Sequence, residues 1–467
     1  MKTNFHPAQL DDPAMRSSEK VLRTCVHCGF CTATCPTYLL LGDELDSPRG
    51  RIYLIKSMLE DGTAPTQEVV KHVDRCLSCL SCMTTCPSGV DYMHLVDHAR
   101  AYIENTYSRP VLDRLFRWGL AKVLPYPSRF RMLLPLGAAA RPLSGLIKRI
   151  PRVGDRLAAM LALIPSSTPT MQVRPIQVTK ARHRVSILRG CAQPVLRPSY
   201  NAAAERLLSR HGVEIVDVPE QGCCGAIVHH LGREVEALRF VRQNVDAWFN
   251  EIEKGLDAII ITASGCGTTI KDYGFMLRNE PAYADRAAKV SAITKDVTEF
   301  LIELGPLDFV ERPKLTVAYH SACSMQHGQQ IRDEPKSLLR AAGFDVKDIP
   351  ESHICCGSAG TYNVLQPQIA SQLRDRKITN IAKVNPQVIA TGNVGCAVQL
   401  ESGADIPVVH TVELLDWATG GPVPDALAKI CETKIGSCSA RRSPARRRPL
   451  SLTNPVHTET NLTAEQD

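Results

Sequence analysis

Two groups of cysteines near the start of the chain have the spacing of iron–sulfur ligands. The two motifs read Cys25-x2-Cys28-x2-Cys31-x3-Cys35-Pro and Cys76-x2-Cys79-x2-Cys82-x3-Cys86-Pro. A C-x2-C-x2-C loop can wrap three irons of a four-iron cubane, whereas the chain turns at the proline and carries the fourth cysteine to the other cluster. The spacing therefore predicts two [4Fe–4S] clusters with crossed ligands: Cys25, Cys28, Cys31 and Cys86 for cluster 1, and Cys76, Cys79, Cys82 and Cys35 for cluster 2.

Zinc is the main alternative for these cysteines, because zinc knuckles also use the C-x2-C spacing. A tetrahedral zinc site needs four ligands, and this reading leaves the third closely spaced cysteine and the Cys-Pro of each motif unexplained. The iron–sulfur interpretation accounts for both features, and it predicts a protein that carries electrons.

A second set of cysteines recurs in the C-terminal half of the chain. Each of two units has one cysteine, then Cys-Cys-Gly, then one more cysteine, and the offset between the units is 132 positions for the first three and 130 for the last. The alternative is that they are buried small apolar residues, but adjacent cysteines at a matched offset favour metal binding. The predicted ligands are Cys191, Cys223, Cys224, Cys266, Cys323, Cys355, Cys356 and Cys396.

The elements that must position this second set alternate between strands and helices. Short β-branched runs are typical of strands at 185–189, 213–218, 258–262, 315–319, 345–349 and 388–391. Helical patterns separate them at 201–211, 233–254, 334–342 and 368–384. Alternating strands and helices predict a parallel sheet in each unit. Each cysteine would then follow a strand and face a helix N-terminus, which makes a pocket suited to anions.

The resulting fold prediction is mixed: an α-helical ferredoxin module followed by two α/β parallel-sheet domains in tandem. We expect a ferredoxin module at 1–108, a basic helical linker at 109–183, sheet domains at 184–312 and 313–430, and a tail at 431–467. The tail carries five arginines between 441 and 448 and is polar beyond them. This composition is typical of disordered segments.

Composition narrows the class of protein further. Eighteen cysteines with no secretory signal at the start predict a reducing cytoplasm, where thiols bind metals or do redox chemistry rather than form disulfides. No apolar run reaches the roughly 18 residues that a spanning helix requires. The segment from Gly265 begins like a dinucleotide loop but lacks the third glycine, and no phosphate-binding loop occurs elsewhere. A protein with clusters and no two-electron cofactor of its own needs a partner that has one.

The motifs also resemble known iron–sulfur modules. The N-terminal module, with the segment Ser47-Pro-Arg-Gly-Arg51, is similar to the α-helical ferredoxin of succinate dehydrogenase iron–sulfur subunits. The Cys-Cys-Gly units resemble the cysteine-rich CCG domain of heterodisulfide reductases, and this resemblance implies further iron–sulfur centres. The fullest form of that domain ends in Cys-x-x-Cys, whereas here the third strand supplies only Cys266 or Cys396. Four cysteines per unit still suffice for a cubane.

The order of the modules resembles the family of iron–sulfur subunits of bacterial glycolate oxidase, over nearly all of residues 10–430. Segments 261–274 and 393–400 carry that likeness in particular. The resemblance implies a complex with FAD-binding subunits that oxidise glycolate to glyoxylate, and electron transfer toward a membrane quinone. No nucleic-acid partner is expected. Alternatives are the iron–sulfur subunit of anaerobic glycerol-3-phosphate dehydrogenase, a heterodisulfide-reductase-like enzyme, and a redox sensor.

Histidines near the cysteines and the basic linker carry two further predictions. His320, His229, His230 and His353 are candidate ligands or proton relays, although such histidines more often serve packing. In the linker, Leu112, Leu115, Phe116 and Leu120 have helical spacing, with Arg114, Arg117 and Lys122 beside them. This pattern is typical of an interfacial helix on anionic lipid, and the alternative is a helix packed between the modules. We therefore expect peripheral contact with the inner face of the bacterial cytoplasmic membrane.

Overall fold

The N-terminal region is a set of short helices around two cysteine-bearing loops. The computed structural model describes residues 1–151, 153–164, 181–310 and 315–428. The helices of this region are α1 (Pro13–Thr24), α2 (Pro36–Leu41), α3 (Pro48–Asp61), α4 (Gln67–Asp74), α5 (Ser81–Thr85) and α6 (Tyr92–Thr106). The first three begin with proline, whose missing N–H has no intrahelical partner to lose. The apolar faces of α1, α3, α4 and α6 meet in one core, where Leu22, Ile55, Leu59 and Leu95 are fully buried.

Four helices form the linker: α7 (Val111–Val123), α8 (Pro127–Ala140), α9 (Ser144–Ile147) and α10 (Gly154–Ala162). Ten of the eighteen large apolar side chains that are exposed among the described residues lie on this stretch: Val111, Leu112, Leu115, Trp118, Met132, Leu133, Leu136, Leu143, Leu146 and Ile150. Of the helices described, none has both the length and the hydropathy needed to cross a bilayer. Residues 152 and 165–180 of the predicted linker lie outside the described residues.

Helix α7 has two faces, and they differ from the sequence prediction. Leu120 is buried, and the buried Arg117 donates to Asp74 at 2.8 Å and to Asp113 at 3.1 Å. Leu115, by contrast, is 57% exposed. The predicted stripe is therefore divided, and Arg117 serves an internal ion pair rather than an external surface.

The first sheet domain has four parallel strands in the order β2-β1-β3-β4. The strands are β1 (His183–Ile187), β2 (Val213–Ile215), β3 (Ala258–Ile261) and β4 (Thr294–Asp296). The helices are α11 (Gln193–Leu196), α12 (Ser199–Arg210), α13 (Ala226–His230), α14 (Glu234–Ile252), α15 (Ser264–Lys271), α16 (Tyr273–Met276), α17 (Ala284–Ala292) and α18 (Val297–Leu304). The chain crosses from β2 over β1 to β3, so the strand order reverses between β1 and β3. Open α/β sheets bind ligands at the carboxyl end of such a point.

The second sheet domain repeats this topology, with the order β6-β5-β7-β8. Its strands are β5 (Thr316–His320), β6 (Asp345–Asp348), β7 (Val388–Thr391) and β8 (Val408–His410). Its helices are α19 (Glu334–Ala341), α20 (Tyr362–Leu365), α21 (Pro367–Ala382), α22 (Val394–Glu401) and α23 (Thr411–Ala418). Val185 of β1 lies opposite Ala258, and Val317 of β5 lies opposite Val388, so the repeat extends to the strand register.

The predicted fold class is confirmed: a helical N-terminal region precedes two α/β domains with parallel sheets. The six predicted strands all occur, with ends that differ by a few residues. The edge strands β4 and β8 were not predicted, because each has only three residues and Thr294-Lys-Asp296 contains no β-branched run. The domain boundaries stay a prediction, and the predicted tail at 431–467 lies outside the described residues.

Candidate metal centres

The first cysteine set lines one cavity in the N-terminal region. Cys25, Cys28 and Cys31 contribute to its wall together with Cys86 of the second motif. His27 and Gly29, which lie between these three cysteines, adopt left-handed backbone conformations, with φ of 55° and 87°. Alternation of right- and left-handed residues curls a loop and turns its N–H groups toward a common point. The loop is therefore shaped to surround an anionic group.

The second set lines an adjoining cavity with the same loop geometry. Its four cysteines are Cys35, Cys76, Cys79 and Cys82. Ser78 and Leu80 repeat the left-handed pair, with φ of 50° and 61°, and the Ser78 N–H donates to the Cys76 sulfur at 3.4 Å. Cys82 also lines the first cavity, so the two cavities share a wall. The structure thus brings the eight cysteines together in crossed sets, and their role as ligands stays a prediction.

The segment Ser47-Pro-Arg-Gly-Arg51 places one arginine at each cavity. Ser47 caps α3 by accepting the Gly50 N–H at 3.0 Å. Arg49 then lines the first cavity and Arg51 the second. Glycine is required at position 50 in the first turn of α3, because a Cβ there would collide with the carbonyl group of Glu44. Two cations are therefore held where anionic clusters would bind.

Asp46 anchors the second of these cations, and the sequence analysis did not identify it. Its fully buried carboxylate accepts from Arg51 at 3.2 Å and from Arg75 at 2.8 Å, and it lies 2.9 Å from His72 Nδ1. The Nη1 atom of Arg51 lies 3.9 Å from the Cys35 sulfur, while Nη2 is the donor to Asp46. A single acidic residue directly before Ser47 gives no signal of this role in the sequence, since its partners are up to 29 residues away.

The buried thiols and their surroundings fit an iron–sulfur cluster. Burial raises the pKa of Cys31 to about 11 and holds the pKa values of Cys79 and Cys82 well above the ordinary range. Metals bind thiolates, so metal binding must displace these protons. Among the described residues, no carboxylate lines either cavity. Four thiols, a nearby cation and no competing oxygen ligand suit a sulfur-ligated anionic cluster.

The first sheet domain gathers its cysteines at the carboxyl edge of the sheet. Cys191 follows β1, Cys223 and Cys224 follow β2, and Cys266 lies in the first turn of α15. Contacts with Cys191 and Cys224 raise the pKa of Cys223, whereas hydrogen bonds from Cys223 and Cys266 lower that of Cys224. Gly225 has φ of 89° and donates its N–H to the Cys223 sulfur at 3.4 Å. The four thiols therefore meet at the point where the strand order reverses.

The second sheet domain forms an equivalent group. The Cys323 and Cys355 sulfurs lie 3.7 Å apart, and Asn393 donates to the Cys396 sulfur at 3.4 Å. Cys356 completes the four and is buried like Cys355 and Cys396. The glycine of this Cys-Cys-Gly has φ of 88°, and a Cβ on it would collide with the carbonyl of Ala370. Glycine is thus required twice over at the bend that presents the thiols.

Of the four predicted histidines, His320 forms a compact group with two cysteines of the second sheet domain. His320 is only 2% exposed. One of its ring nitrogens and the sulfurs of Cys356 and Cys396 all lie within 4.8 Å of one another. Neither ring nitrogen has a hydrogen-bond partner among the described residues. Burial, with the ammonium group of Lys377, lowers the pKa of His320 to about 3. The ring is therefore neutral at pH 7, which is the form that binds metals.

The other predicted histidines have different partners. His229 and His230 lie 3.3 Å and 3.6 Å from the carboxylate of Asp97 on α6. His353 is half-buried, and its backbone carbonyl lies 3.2 Å from the ring of His327. His229 and His230 therefore serve a contact between α13 and α6, and a ligand or relay role for these three histidines stays a prediction.

The spatial order of the four cysteine groups differs from their order along the chain. Cys79 of the second ferredoxin set packs in one buried cluster with Cys323 and Cys355 of the second sheet domain. The first sheet domain meets the second across their carboxyl edges, where Ser264 and Ser324 hydroxyls lie 2.7 Å apart. The second sheet domain thus packs directly against the second ferredoxin cysteine set, although it comes last in the sequence.

Comparison with protein families assigns the same three modules. A 4Fe-4S dicluster domain matches residues 21–90, and a cysteine-rich domain matches twice, at 185–271 and 317–401. A solved structure of a hypothetical protein from Helicobacter pylori is similar in fold, with a TM-score of 0.52 at 10% identity, covering 91% of this chain and 74% of that one.

Two relatives are similar over nearly the whole chain. The glycolate oxidase iron-sulfur subunit of Escherichia coli is 43% identical over 418 residues, which are 90% of this chain and 99% of that protein. The probable glycolate oxidase iron-sulfur subunit of Bacillus subtilis is 30% identical over 429 residues, covering 87% of this chain and 96% of the relative.

Proposed function

The chain belongs to the family of glycolate oxidase iron–sulfur subunits, and from that premise we propose that it is the electron-transfer subunit of a flavin-dependent glycolate dehydrogenase. Its relatives support an oxidoreductase complex that contains an iron–sulfur protein. The observation that carries the proposal is the packing of Cys79 of the second ferredoxin set against Cys323 and Cys355 of the second sheet domain, beside a ferredoxin loop on which Cys28 is exposed. Oxidation of glycolate to glyoxylate would occur on FAD-binding partner subunits.

Sixteen cysteines would hold the metal centres of this subunit. Cluster 1 would use Cys25, Cys28, Cys31 and Cys86, and cluster 2 would use Cys76, Cys79, Cys82 and Cys35. The sheet domains would use Cys191, Cys223, Cys224 and Cys266, and Cys323, Cys355, Cys356 and Cys396. Iron–sulfur clusters supply one-electron carriers when bound. The chain's own residues bury most of the thiols, hold cations at two of the cavities and pack Cys79 against Cys323 and Cys355.

The first cavity is the proposed entry for electrons. Cys28 is exposed, and the neighbouring Val26 and Phe30 are 66% and 63% exposed. Apolar side chains beside a redox centre favour docking of a protein partner, because their burial stabilises the contact. We infer that the flavin subunit binds over this loop.

The linker is the proposed contact with the membrane. Its exposed apolar side chains lie among basic residues such as Arg114, Arg131 and Lys148, which suit an anionic lipid surface. A peripheral position on the inner face of the bacterial cytoplasmic membrane would bring the subunit to a quinone acceptor.

The decisive test uses the full chain with its flavin subunits under anaerobic conditions. Glycolate should reduce the iron–sulfur centres, followed by electron paramagnetic resonance, and glyoxylate should form in proportion. Glycerol 3-phosphate serves as the matched substrate control and should leave the centres oxidised. Reduction by glycerol 3-phosphate and not by glycolate would refute the proposal, as would clusters that glycolate-reduced flavin subunits fail to reduce.

A further inference from the structure

Tyr92 is a buried side chain at the boundary between the two ferredoxin cavities. It is the first residue of α6, is only 3% exposed, and lines both cavities. Its hydroxyl donates a hydrogen bond to the Cys76 sulfur at 3.7 Å and has no other hydrogen-bond partner among the described residues. A buried tyrosine hydroxyl normally finds a polar partner. Here that partner is a predicted ligand of cluster 2.

Side chains that can donate to sulfur are concentrated on the second cysteine set. Besides the Tyr92 hydroxyl, the Arg51 guanidinium lies 3.9 Å from the Cys35 sulfur, and the Thr37 hydroxyl lies 3.3 Å from the same sulfur. In the part of the chain that the structure describes, no side chain makes such a contact with a sulfur of the first set. The two cavities therefore differ in how many donors face their thiols.

Burial of the thiols also differs between the cavities, and it acts against reduction. All four cysteines of the second set are buried, whereas only one of the first set is. A low-dielectric interior opposes added negative charge. Hydrogen bonds to the sulfurs act in the opposite direction and are among the features that set the potential of an iron–sulfur cluster. They stabilise the reduced form more than the oxidised form, because a donor binds a more negative acceptor more strongly.

We propose that the Tyr92 hydroxyl raises the reduction potential of cluster 2 through its hydrogen bond to the Cys76 sulfur, so that this buried centre can accept an electron from cluster 1. Tyr92 is thus a positioning residue, because it acts through Cys76. One electron leaves cluster 1 and enters cluster 2, while no bond breaks and the hydroxyl keeps its proton. The inference rests on the proposed function, since it requires a one-electron centre in each cavity.

Tyr92→Phe tests the hydrogen bond, because it removes the hydroxyl and keeps the ring that packs in the core. Tyr102→Phe is the matched control on the same helix: its hydroxyl donates to the Thr63 carbonyl oxygen at 3.1 Å, and Tyr102 lines neither cavity. The full chains are loaded with clusters and titrated anaerobically with dithionite, and electron paramagnetic resonance follows each centre. Cys35→Ser and Cys86→Ser assign the two signals, since each cysteine lines one cavity.

The expected result is a shift confined to one centre. In Tyr92→Phe the equilibrium constant for electron transfer from cluster 1 to cluster 2 should fall roughly tenfold, which is about 59 mV for one electron. Tyr102→Phe should match the wild type. Electron–nuclear double resonance in H₂O and D₂O should show one exchangeable proton coupled to cluster 2 that Tyr92→Phe lacks and Tyr102→Phe retains.

A second variant keeps the test valid if Tyr92→Phe takes up less iron. Placing 3-fluorotyrosine at position 92 retains the ring and the hydroxyl but makes the hydroxyl a stronger donor. The potential of cluster 2 should then rise, and that of cluster 1 should stay at the wild-type value. A fall, or no change, would overturn the inference.

The outcomes separate this inference from the proposed function. Equal potentials in the wild type and an iron-replete Tyr92→Phe would overturn the inference and leave the proposed function standing. A shift of the same size in both centres would also overturn it, because a bond to Cys76 acts first on the centre that holds Cys76. If the wild-type chain takes up no reducible iron–sulfur centre, the proposed function itself fails.

Discussion

At the scale of single residues, the metal centres depend on side chains that approach from different parts of the chain. Each ferredoxin cavity takes its fourth cysteine from the other motif. Asp46 and Arg51 hold a buried ion pair beside the second cavity. His320 supplies a nitrogen near Cys356 that has no counterpart in the first sheet domain, where Leu188 occupies the equivalent position.

The crossed arrangement predicts how single cysteine changes act. Cys86→Ser should disturb the centre that holds Cys25, Cys28 and Cys31, because serine replaces the fourth wall thiol of that cavity. Cys35→Ser should disturb the other centre in the same way. Electron paramagnetic resonance of the two variants, each reduced stepwise, distinguishes the centres. If Cys86→Ser altered the Cys76 centre and spared the other, the ligand assignment would be wrong.

His320→Leu tests the unpartnered imidazole by copying Leu188. In the metal-free chain the variant should be more stable by about 1 kcal/mol or more, since it removes a buried polar group that lacks a partner. In the metal-loaded chain this gain should disappear. Pulsed electron paramagnetic resonance should detect a nitrogen coupling in the wild type that is absent from the variant. The same stability gain in both forms, with no nitrogen coupling, would exclude contact with the metal.

At the scale of elements, the linker helices have one face toward the protein and another exposed. The inner face of α7 joins the ferredoxin region through Arg117 and Asp74. The opposite face presents Leu115 and Trp118, and α8 and α9 continue the exposed apolar surface with Leu136 and Leu146. The packed-helix interpretation therefore describes the inner face, and lipid contact by the exposed face stays a prediction.

The exposed face predicts vesicle binding. Replacing Leu115, Trp118, Leu136 and Leu146 together by serine should reduce sedimentation with anionic vesicles roughly tenfold or more, because buried apolar area drives interfacial binding. The matched control replaces Val235, Ile302 and Val310 by serine, which are exposed apolar residues outside the linker. Binding should fall with salt, since basic residues contribute. Equal binding by all three proteins would show that the linker does not contact lipid.

The contact between α6 and the first sheet domain should depend on pH. Burial opposes a charge on His94, but hydrogen bonds to Asp272 at 2.9 Å and to Asp91 outweigh it and raise the pKa of His94 to about 9. Because the folded pKa lies above the unfolded value of about 6.5, this stabilisation is complete below pH 6.5 and is lost as pH rises through 9.

His94→Gln should therefore cost most at low pH. The difference in free energy of unfolding between wild type and His94→Gln should shrink by about 3 kcal/mol between pH 6 and pH 10. Asp272→Asn, which removes one partner, should show a weaker pH dependence of the same sign. Thermal unfolding at a series of pH values measures all three proteins. A difference that stays constant with pH would mean that His94 is not charged in the folded protein.

At the scale of the whole molecule, the two similar sheet domains contact different parts of the ferredoxin region. The second sheet domain packs against Cys79, next to the second ferredoxin cavity. The first sheet domain contacts α6, where His94 lies 2.9 Å from Asp272. The tandem repeat thus gives the two domains different surroundings.

The entry end can be tested at the loop around Cys28. Replacing Val26 and Phe30 by aspartate should slow reduction of the chain by glycolate-reduced flavin subunits roughly tenfold or more, because the apolar contact is lost. Iron content is also compared in Phe30→Asp alone, where it should be unchanged, since Phe30 is 63% exposed and, unlike Val26, does not line the cavity. Val235→Asp is the control for added surface charge. Unchanged reduction kinetics in the double variant would place the donor elsewhere.

The sequence by itself determined the features that depend on local geometry. The two C-x2-C-x2-C motifs, the repeated Cys-Cys-Gly and the alternation of strands and helices predicted the modules, because ligand spacing and periodicity are set within a few residues. Even the crossed cysteine sets followed from the proline after each motif.

Only the tertiary structure decided the features that join distant segments. Asp46 meets Arg75 across 29 residues, and Cys79 meets Cys323 although they are far apart in the sequence. Among the described residues, the ring nitrogens of His320 lack partners because separate elements pack together incompletely at that point. Packing between distant elements depends on the shapes and directions of all the side chains at the contact, and periodicity along one segment does not specify them.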